Sequence, residues 1–395
     1  MKHTSQRSIL LAIPTITSYH TFLKELMGSL AEDGWDVHLA CSLNPIPGFD
    51  SYDEAVVGTA HDVAFPRGAN PLGHLRAALS FRKLVTKIGP HLIHCHFGVT
   101  AFTAALARRS RWPPCIATIQ GLFFPQGSGW RRWFIGACEC WSQLRMTGTW
   151  VLTECDLEAF ASLGIRRNVF LQESKGFGCR LDLFDRANFW EEESHQLRRS
   201  LGIQPDDFVF VFVGRQVEFK GFNLAVRAFR NIAGEHPQAK LLLVGERDPL
   251  HPTGLQRVEE KAVCSSSGII SVGWQRNVAR YLALAHVNVF PSSREGIPVN
   301  LMESLAMGVP VITSNSRGCR DVVRHGIDGL VLRRSTVEEL ADAMQHLLRN
   351  DALRREMIQN ALADRGRFDR KSWIGEQMGI YERILAGSGR SQRTV

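Results

Sequence analysis

The chain has 395 residues, of which 44% are hydrophobic and 22% are charged, and its formal net charge is +8. This length suits two domains, and the composition is that of a folded globular protein, which excludes a disordered or fibrous chain. The longest unbroken apolar run, about residues 208–213, is far shorter than the roughly 18 to 20 residues that cross a bilayer, which excludes an integral membrane protein.

The first apolar run, residues 9–13, follows Lys2 and Arg7 and has some features of a signal peptide. Pro14 ends the run and no small-residue cleavage site follows, so a buried first strand is the favoured interpretation. The nine cysteines include no C-x-x-C pair and no zinc-ribbon spacing. This usage predicts reduced thiols in a cytosolic protein.

Short apolar runs alternate with amphipathic stretches along the chain, which is the rhythm of β-α-β units. The first series of predicted strands covers residues 8–13, 36–41, 92–96, 115–119 and 151–154. The second series covers residues 208–213, 240–244, 269–272, 287–291 and 310–313. The sequence therefore predicts an α/β protein with two tandem doubly wound Rossmann-like domains, whose strand ends face a ligand-binding cleft.

A polar segment near residues 185–203 predicts the domain boundary. We expect an N-terminal domain over residues 1–187 and a C-terminal domain over 188–369. A last helix, about residues 370–387, carries an apolar stripe that must pack on one of the domains. Residues 388–395 are expected to form a disordered tail.

Residues 63–138 contain no acidic side chain but ten Lys or Arg, which predicts an anionic partner such as phosphate, a membrane surface or nucleic acid. Within this window, basic residues alternate with large aromatic residues. Such segments lie on anionic membranes, although a core helix with a charged outer face is the alternative interpretation. The candidate membrane and acceptor residues are Arg108, Arg109, Trp130, Arg131, Arg132 and Trp133.

His94 and His96 lie on one face of a predicted strand. They suggest either a zinc pair without a visible third ligand or, as we favour, a strand-end pair that lines the cleft.

In the second domain, Arg215 and Lys220 follow the first strand, where they predict a cationic clamp for a diphosphate; the alternative is a solvated turn. Further on, Glu295 and Glu303 bracket the start of a helix that follows a buried strand. Free backbone amides at that helix start would bind phosphate oxygens, while the carboxylates would accept hydrogen bonds from sugar hydroxyls. The alternative is a pair of solvated carboxylates favoured by the helix dipole.

These motifs resemble glycosyltransferase family 4, whose members are retaining enzymes of the GT-B fold with an E-x7-E signature. The resemblance is closest to the branch that assembles capsule, exopolysaccharide and lipid-linked glycans. It covers nearly the whole chain and rests on Gly214-Arg215, Lys220-Gly221, Gly245, Gly273-Trp274, Glu295 with Glu303, Gly308 to Pro310, and Asn315 to Asp321.

The resemblance implies a role for each matching residue. Arg215 and Lys220 would bind the donor diphosphate, and Glu295 would hold donor-sugar hydroxyls. The remaining donor contacts would be the amides of Gly296 and Ile297 for the sugar or its phosphate, Glu303 for the ribose, and the backbone between Gly273 and Arg276 for the base.

The resemblance also places the acceptor in the first domain and packs the last helix against that domain. The two glutamates are not expected to act as covalent nucleophiles. The resemblance implies no metal and no cofactor beyond the nucleotide-diphosphate sugar, which is a substrate.

The chain departs from the family pattern in two places. Where relatives have Thr-x-His-Gly after a first-domain strand, this chain has Thr118-Ile119-Gln120-Gly121, so Gln120 replaces a histidine expected at the reacting sugar. Gln120 can donate a hydrogen bond but cannot carry a positive charge. The loop from Pro14 to His20 lacks the family's glycines, and its hydroxyl groups are expected to replace the close backbone approach.

The leading hypothesis is a retaining hexosyltransferase that transfers a hexose or N-acetylhexosamine to a lipid-pyrophosphate-linked saccharide. It would lie peripherally on an anionic membrane, at the cytoplasmic face of a bacterial plasma membrane. A sugar-nucleotide epimerase of the same fold and a non-enzymatic binder of anionic ligands or nucleic acid are the alternatives. Nucleic acid is not an expected partner because no recognised nucleic-acid-binding pattern is present, and no G-x-G-x-x-G supports a nicotinamide dehydrogenase.

Overall fold

The computed structural model describes residues 6–44, 55–66, 68, 70–126 and 129–387, without the side chains of Gln126, Arg131 and Cys264. The tail predicted for residues 388–395 lies outside the described residues. Within the described residues, the chain forms two compact units. One contains the chain up to Glu173 together with the part from Trp373 onward, and the other contains Ser174–Ser372.

The first unit is built on a parallel sheet of seven strands in the order β3-β2-β1-β4-β5-β6-β7. Its strands are β1 (Ser8–Thr15), β2 (Asp36–Ser42), β3 (Thr59–Asp62), β4 (Leu92–His96), β5 (Cys115–Ile119), β6 (Gly148–Val151) and β7 (Val169–Leu171). Its helices are α1 (Ile16–Phe22), α2 (Lys24–Glu32), α3 (Pro71–Ile88), α4 (Gly98–Ala107), α5 (Gly129–Leu144) and α6 (Glu154–Ser162).

The second unit has a parallel sheet of six strands in the order β10-β9-β8-β11-β12-β13. Its strands are β8 (Phe208–Val213), β9 (Ala239–Val244), β10 (Ile269–Ser271), β11 (Val287–Phe290), β12 (Val311–Ser314) and β13 (Gly329–Leu332). Its helices are α7 (Glu191–Ser200), α8 (Phe222–Ala233), α9 (Arg257–Ser265), α10 (Ala279–Leu282), α11 (Val299–Ala306), α12 (Cys319–Val322), α13 (Val337–Arg349) and α14 (Asp351–Ala363). The last helix, α15 (Arg370–Leu385), begins in this unit and continues in the first.

The predicted fold class is confirmed: both units are parallel sheets with helices between the strands. The order of strands reverses between β1 and β4 in the first sheet and between β8 and β11 in the second. In open parallel sheets, ligands bind beyond the carboxyl ends of the strands at such a reversal. The reversal therefore marks the edge of each unit where a site is expected.

The central strands are buried because nearly all their side chains are apolar; β8, for example, reads Phe-Val-Phe-Val-Phe-Val with every residue buried. The prediction of a strand at 151–154 was wrong, because β6 ends at Val151 and Thr153 caps α6 by accepting a hydrogen bond from Asp156 N. The sequence also gave no signal for β3, β7 and β13. These are three- or four-residue strands at the edges of the sheets, where no long apolar run is needed.

The second unit begins at Ser174, earlier than the predicted boundary at residue 188. The reason is that residues 174–187 pack within the second unit. Cys179 N donates to Phe368 O at 2.7 Å, and Arg370 N donates to Cys179 O at 3.0 Å. A charged contact of 2.7 Å joins Asp185 to Arg365. A polar composition indicated a linker here, but backbone pairing with residues 368–370 ties the segment to the second unit.

Candidate functional site

Several loops at the carboxyl edge of the second sheet depend on tight backbone contacts. Gly221, with φ +79°, follows the turn after β8, and a Cβ on it would collide with the carbonyl oxygen of Pro291 after β11. Gly318, with φ +80°, is pressed in the same way against the carbonyl of Gly296. Side chains other than hydrogen are excluded from such positions, so the loops after β8, β11 and β12 lie in direct contact.

Lys220 and Glu295 form an ion pair where these loops meet. Lys220 Nζ lies 2.7 Å from Glu295 Oε1 and 2.8 Å from Oε2, and the glutamate side chain is only 9% exposed. Ser292 Oγ lies 2.6 Å from Oε1. The structure thus brings together the cation predicted for the diphosphate and the carboxylate predicted for the sugar.

Arg215 is held by a residue that the sequence reasoning missed. Its Nη1 lies 2.5 Å from Asp248 Oδ2 in the loop after β9, and that carboxylate is nearly buried. Burial works to raise the pKa of Asp248, but the Leu250 amide and Arg215 outweigh it and lower the pKa below its usual value. The available signal was the position of Asp248, which follows the strand next to β8 in the sheet.

The amides of Gly296 and Ile297 point to an anion site at the start of α11. Among the residues that the structure describes, neither amide donates a hydrogen bond. The Ile297 side chain is buried against Gly176, which fixes the loop before the helix. Unpaired amides beside Lys220 are suited to binding phosphate or sugar oxygens.

Glu303 lies on α11, and no hydrogen bond or ion pair joins it to Lys220 or Glu295 among the described contacts. Burial raises the pKa of Glu303 to about 7, against the opposing charge of Arg370. Asn300 anchors the helix by donating to Val213 O at 2.8 Å, at the end of β8. Glu303 can therefore change its charge near neutral pH.

The predicted base-binding segment follows β10. Gly273 has φ +67° and accepts a hydrogen bond from Gly245 N at 2.8 Å, which joins the loops after β9 and β10. Arg276 is exposed. These residues lie at the carboxyl edge of the same sheet as Arg215.

At the carboxyl edge of the first sheet, Gln120 directly follows β5. Its Nε2 is buried and has no acceptor among the described residues. The next residues are fixed, since Leu122 N donates to the buried Asp156 at 3.1 Å. At the end of the neighbouring strand, Phe97 has φ +74° and ψ 150°, a backbone conformation that is essentially restricted to glycine. A buried donor without an acceptor at this edge marks a polar site that a ligand can complete.

His94 and His96 are buried, so the prediction that they line a cleft was wrong. His94 Nδ1 lies 2.6 Å from the Tyr381 hydroxyl of α15, and its Nε2 lies 2.9 Å from Thr118 Oγ1. Both ring nitrogens of His94 are therefore occupied, which removes the basis for the zinc alternative at this pair. No group of three His, Cys, Asp or Glu that could hold a metal is found in the described part of the chain.

The basic and aromatic residues predicted to act together are separated in the structure. Arg108 follows α4 and donates to the carbonyl of Arg145, just beyond the end of α5, and Arg109 is its neighbour. Trp130 and Trp133 lie at the beginning of α5. A helix of this length spans about 24 Å at 1.5 Å per residue, so Arg108 and these tryptophans lie at opposite ends of α5, and a shared membrane or acceptor role for them stays a prediction.

The beginning of α5 does present large apolar side chains to solvent. Trp130, Trp133 and Phe134 are 73%, 70% and 57% exposed, and Arg132 beside them is also exposed. The side chain of Arg131 lies outside the described ones. On α3, Leu72, Leu75 and Leu79 form a second exposed apolar stripe. We call these six apolar residues the α3–α5 surface.

The described helices include none that is both long and apolar enough to span a bilayer.

Two family models match the chain. The model of group 1 glycosyl transferases matches residues 193–364, and the model of glycosyl transferase 4-like domains matches residues 18–171. Each model therefore covers most of one unit. The matches give no support to the epimerase alternative.

Individual relatives are similar at low identity. The putative glycosyltransferase EpsD of Bacillus subtilis (strain 168) is 23% identical over 358 residues, which is 89% of this chain and 90% of EpsD. N,N'-diacetylbacillosaminyl-diphospho-undecaprenol alpha-1,3-N-acetylgalactosaminyltransferase of Campylobacter jejuni is 24% identical, over 59% of this chain and 60% of that protein. Other matches span about half of the relative, for example 53% of the uncharacterized glycosyltransferase MJ1607 of Methanocaldococcus jannaschii.

Solved structures show the same fold. Anabaena Alr3699/HepE in complex with UDP and glucose has a TM-score of 0.75 at 17% identity, covering 95% of this chain and 98% of that one. WaaG, a glycosyltransferase involved in lipopolysaccharide biosynthesis, has a TM-score of 0.72 at 14% identity, covering 94% and 99%. The GT-B fold expected from the sequence is confirmed.

Proposed function

The chain belongs to glycosyltransferase family 4, and on this premise we propose that it is a retaining hexosyltransferase of bacterial surface polysaccharide assembly. The donor would be a nucleotide-diphosphate sugar that carries a hexose or N-acetylhexosamine. The acceptor would be a lipid-pyrophosphate-linked saccharide at the cytoplasmic face of the plasma membrane. The donor class is supported by the UDP bound in HepE, and the acceptor class by the name of the Campylobacter relative.

The observation that carries the proposal is the Lys220–Glu295 ion pair beside the unpaired amides of Gly296 and Ile297. A diphosphate would take over the hydrogen bonds of Lys220, which also frees Glu295 to accept hydrogen bonds from sugar hydroxyls. A cation, a carboxylate and free amides within one loop cluster match the three kinds of group that a sugar nucleotide presents. Glu303 is the proposed acceptor of hydrogen bonds from the ribose.

In the proposed transfer, the bond between the sugar C1 and the diphosphate oxygen breaks, and the acceptor hydroxyl forms the new bond on the same face of the sugar. The proton of that hydroxyl moves to the departing diphosphate oxygen. Arg215 and Lys220 would stabilise the charge that develops on the leaving group. In this scheme, cationic side chains stabilise the leaving diphosphate, which other transferases stabilise with a metal ion. Gln120 would donate its unpaired Nε2 hydrogen to a hydroxyl of the donor or acceptor.

A product assay tests this function. Purified protein would be incubated with radiolabelled UDP- and GDP-sugars and an undecaprenyl-diphosphate-linked saccharide. We expect one donor to give an extended acceptor with the donor's anomeric configuration, and Glu295→Gln to lower the rate. An inverted product would contradict retention. If all donors are left unchanged, or if a sugar nucleotide is isomerised without an acceptor, the transferase proposal is wrong.

Peripheral membrane attachment is the second part of the proposal. The α3–α5 surface exposes six large apolar side chains, and all six lie in the sequence window 63–138 that has no acidic residues. Apolar side chains surrounded by Lys and Arg bind the interface of anionic bilayers. A lipid-linked acceptor would be met at the same surface.

Co-sedimentation with vesicles that contain anionic phospholipid tests the attachment. The double variant Trp130→Ala with Trp133→Ala is expected to lose most of the binding. Its control is Trp190→Ala in the second unit, because Trp190 is equally exposed, at 74%, but lies outside the acid-free window. Equal sedimentation of the double variant and the control would show that the two tryptophans of the α3–α5 surface are not the anchor.

A further inference from the structure

Three cationic side chains surround the ring of Phe219, in the turn between β8 and α8. Distances to the ring centroid are 4.7 Å from the guanidinium carbon of Arg294, 5.5 Å from that of Arg215 and 5.9 Å from Lys220 Nζ. His251 packs edge-on against the same ring at 5.6 Å. The distances of the three cations allow a cation–π attraction to the ring.

Only one of the three cations lacks an anionic partner among the described residues. Arg215 is paired with Asp248, and Lys220 is paired with Glu295. Arg294 is exposed, and its guanidinium makes no hydrogen bond or ion pair with any residue that the structure describes. Because the other two charges are already balanced, Arg294 supplies the uncompensated positive charge in this cluster.

The position of Arg294 is set by the backbone on both sides of the contact. Ser293 N donates to Phe219 O at 2.9 Å, and Ser293 Oγ lies 3.2 Å from the same oxygen. Gly221 lets the turn approach Pro291 directly. The loop before Glu295 is therefore tied to the turn that carries Phe219, and Arg294 is stacked on the ring without needing a salt bridge.

We propose that Arg294 is a third cation for the leaving diphosphate of the donor, and that Phe219 is the positioning residue that holds it. This inference rests on the proposed function, since it assumes that a nucleoside diphosphate binds between Arg215, Lys220 and Glu295. A diphosphate carries more negative charge than a single cation balances. The two internal ion pairs oppose its entry, because their carboxylates must give up their partners. An unpaired guanidinium meets the incoming charge without this cost.

Calorimetry with UDP and GDP, with inorganic pyrophosphate and with the matching nucleosides tests the proposal. For the diphosphate that the wild type binds, Arg294→Ala is expected to weaken affinity about tenfold, the loss of one charge-assisted contact. Affinity for the nucleoside alone should not change, because it carries no phosphate. The diphosphate affinity of Arg294→Lys is expected to lie between those of the wild type and Arg294→Ala, since lysine keeps the charge but not the planar group.

The matched control is Arg355→Ala, which removes an exposed arginine of the same unit that is paired with Asp351. Arg294→Ala should also flatten the dependence of diphosphate affinity on salt, which Arg355→Ala should leave as it is. The role of Phe219 is tested by Phe219→Leu, with Phe219→Tyr as the conservative variant that should retain affinity. The effect of Phe219→Leu should be smaller in the Arg294→Ala background, because one of the contacts of the ring is already gone.

The outcomes separate this inference from the function on which it rests. If the wild type binds no nucleoside diphosphate, the proposed function fails and this inference fails with it. If the wild type binds one and Arg294→Ala binds it as tightly as Arg355→Ala does, only the role of Arg294 is overturned. If Phe219→Leu is equally harmful with and without Arg294, the ring does not act through that arginine.

Discussion

The two units share one architecture but place charge differently at the carboxyl edges of their sheets. In the second unit, the strands are followed by Arg215, Lys220, Asp248 and Glu295, joined as two ion pairs. In the first unit, β5 is followed by the neutral Gln120, and the nearby imidazole of His94 is buried and bonded to neutral hydroxyl groups. Two arginines of the first unit, Arg108 and Arg145, lie instead just beyond the ends of α4 and α5.

This difference indicates that a parallel sheet determines only where a site lies, whereas the residues of the loops determine which ligand it binds. A charged edge with unpaired amides is suited to a diphosphate. In the first unit, the buried and unpaired amide group of Gln120 after β5 is suited to hydroxyl groups. The contrast predicts that substitutions at the two edges will have separable effects, on donor affinity in the second unit and on turnover or stability in the first.

The largest effect is expected from removing both donor-site cations of the second unit. Arg215→Ala with Lys220→Ala should weaken nucleoside-diphosphate binding about 100-fold, or about tenfold for each cation, as measured by calorimetry. We expect the low end of the range for charged hydrogen bonds because the ligand must displace Asp248 and Glu295. Unchanged affinity in the double variant would show that the charged edge is not the donor site.

The second effect is acid destabilisation of the first unit. Burial lowers the pKa of His96 to about 3, and burial together with His96 lowers the pKa of His94 well below its usual value. In the unfolded chain, the two imidazoles take up protons as the pH falls below about 6.5, whereas in the folded protein they do not. Their contribution to the free energy of unfolding is therefore complete above that pH and is lost progressively towards pH 3.

Between pH 7 and pH 5, His96 alone should lower the free energy of unfolding by about 2 kcal/mol, and His94 should add to this in the same direction. Hydrogen exchange of β4 and β5, followed over this range, measures the loss. The second unit should show an acid loss of its own, because burial also lowers the pKa of His286 to about 4, and its Nδ1 accepts a hydrogen bond from Val209 N of β8. The control is therefore His96→Gln, in which the pH dependence of exchange in β4 and β5 should become weaker while that in β8 stays as it is. An unchanged pH dependence of β4 and β5 in this variant would contradict this source of destabilisation.

The third effect tests Gln120 at the carboxyl edge of the first sheet. Gln120→Ala should lower turnover about tenfold, because a buried amide that would donate to a substrate hydroxyl is lost. Affinity for the nucleoside diphosphate should stay within about twofold of the wild type. If affinity falls as much as turnover, Gln120 serves donor binding and the separation of roles between the two units is wrong.

The smallest effect concerns the pH dependence of donor binding. Because the pKa of Glu303 is raised to about 7, its carboxylate is ionised above that pH and becomes protonated below it. If the ionised form binds the ribose, affinity for a sugar nucleotide should fall about threefold between pH 7.5 and 6.5. Glu303→Gln should remove this dependence, and a slope that persists in the variant belongs to another group.

The sequence predicted much of the fold because the signals are local. Buried central strands such as β8 are continuous apolar runs, and the spacing of Glu295 and Glu303 around a helix start is readable without a structure. The wrong strand at 151–154 and the missed edge strands β3, β7 and β13 lacked such a signal. The predicted domain boundary also differs, since composition marked a polar segment but not its pairing with residues 368–370.

Contacts between distant residues were decided only by the tertiary structure. By itself, the sequence determined the α/β class, the family motifs and the acid-free window, which all depend on residue types at short spacing. The structure decided that Asp248 pairs with Arg215, that His94 is buried under Tyr381, and that Arg108 lies far from Trp130. The physical reason is that these distances depend on how the loops pack together and on how long the helices are. Residues near in sequence, such as Arg108 and Trp130, are therefore separated, while His94 and Tyr381 are in contact although they are far apart in sequence.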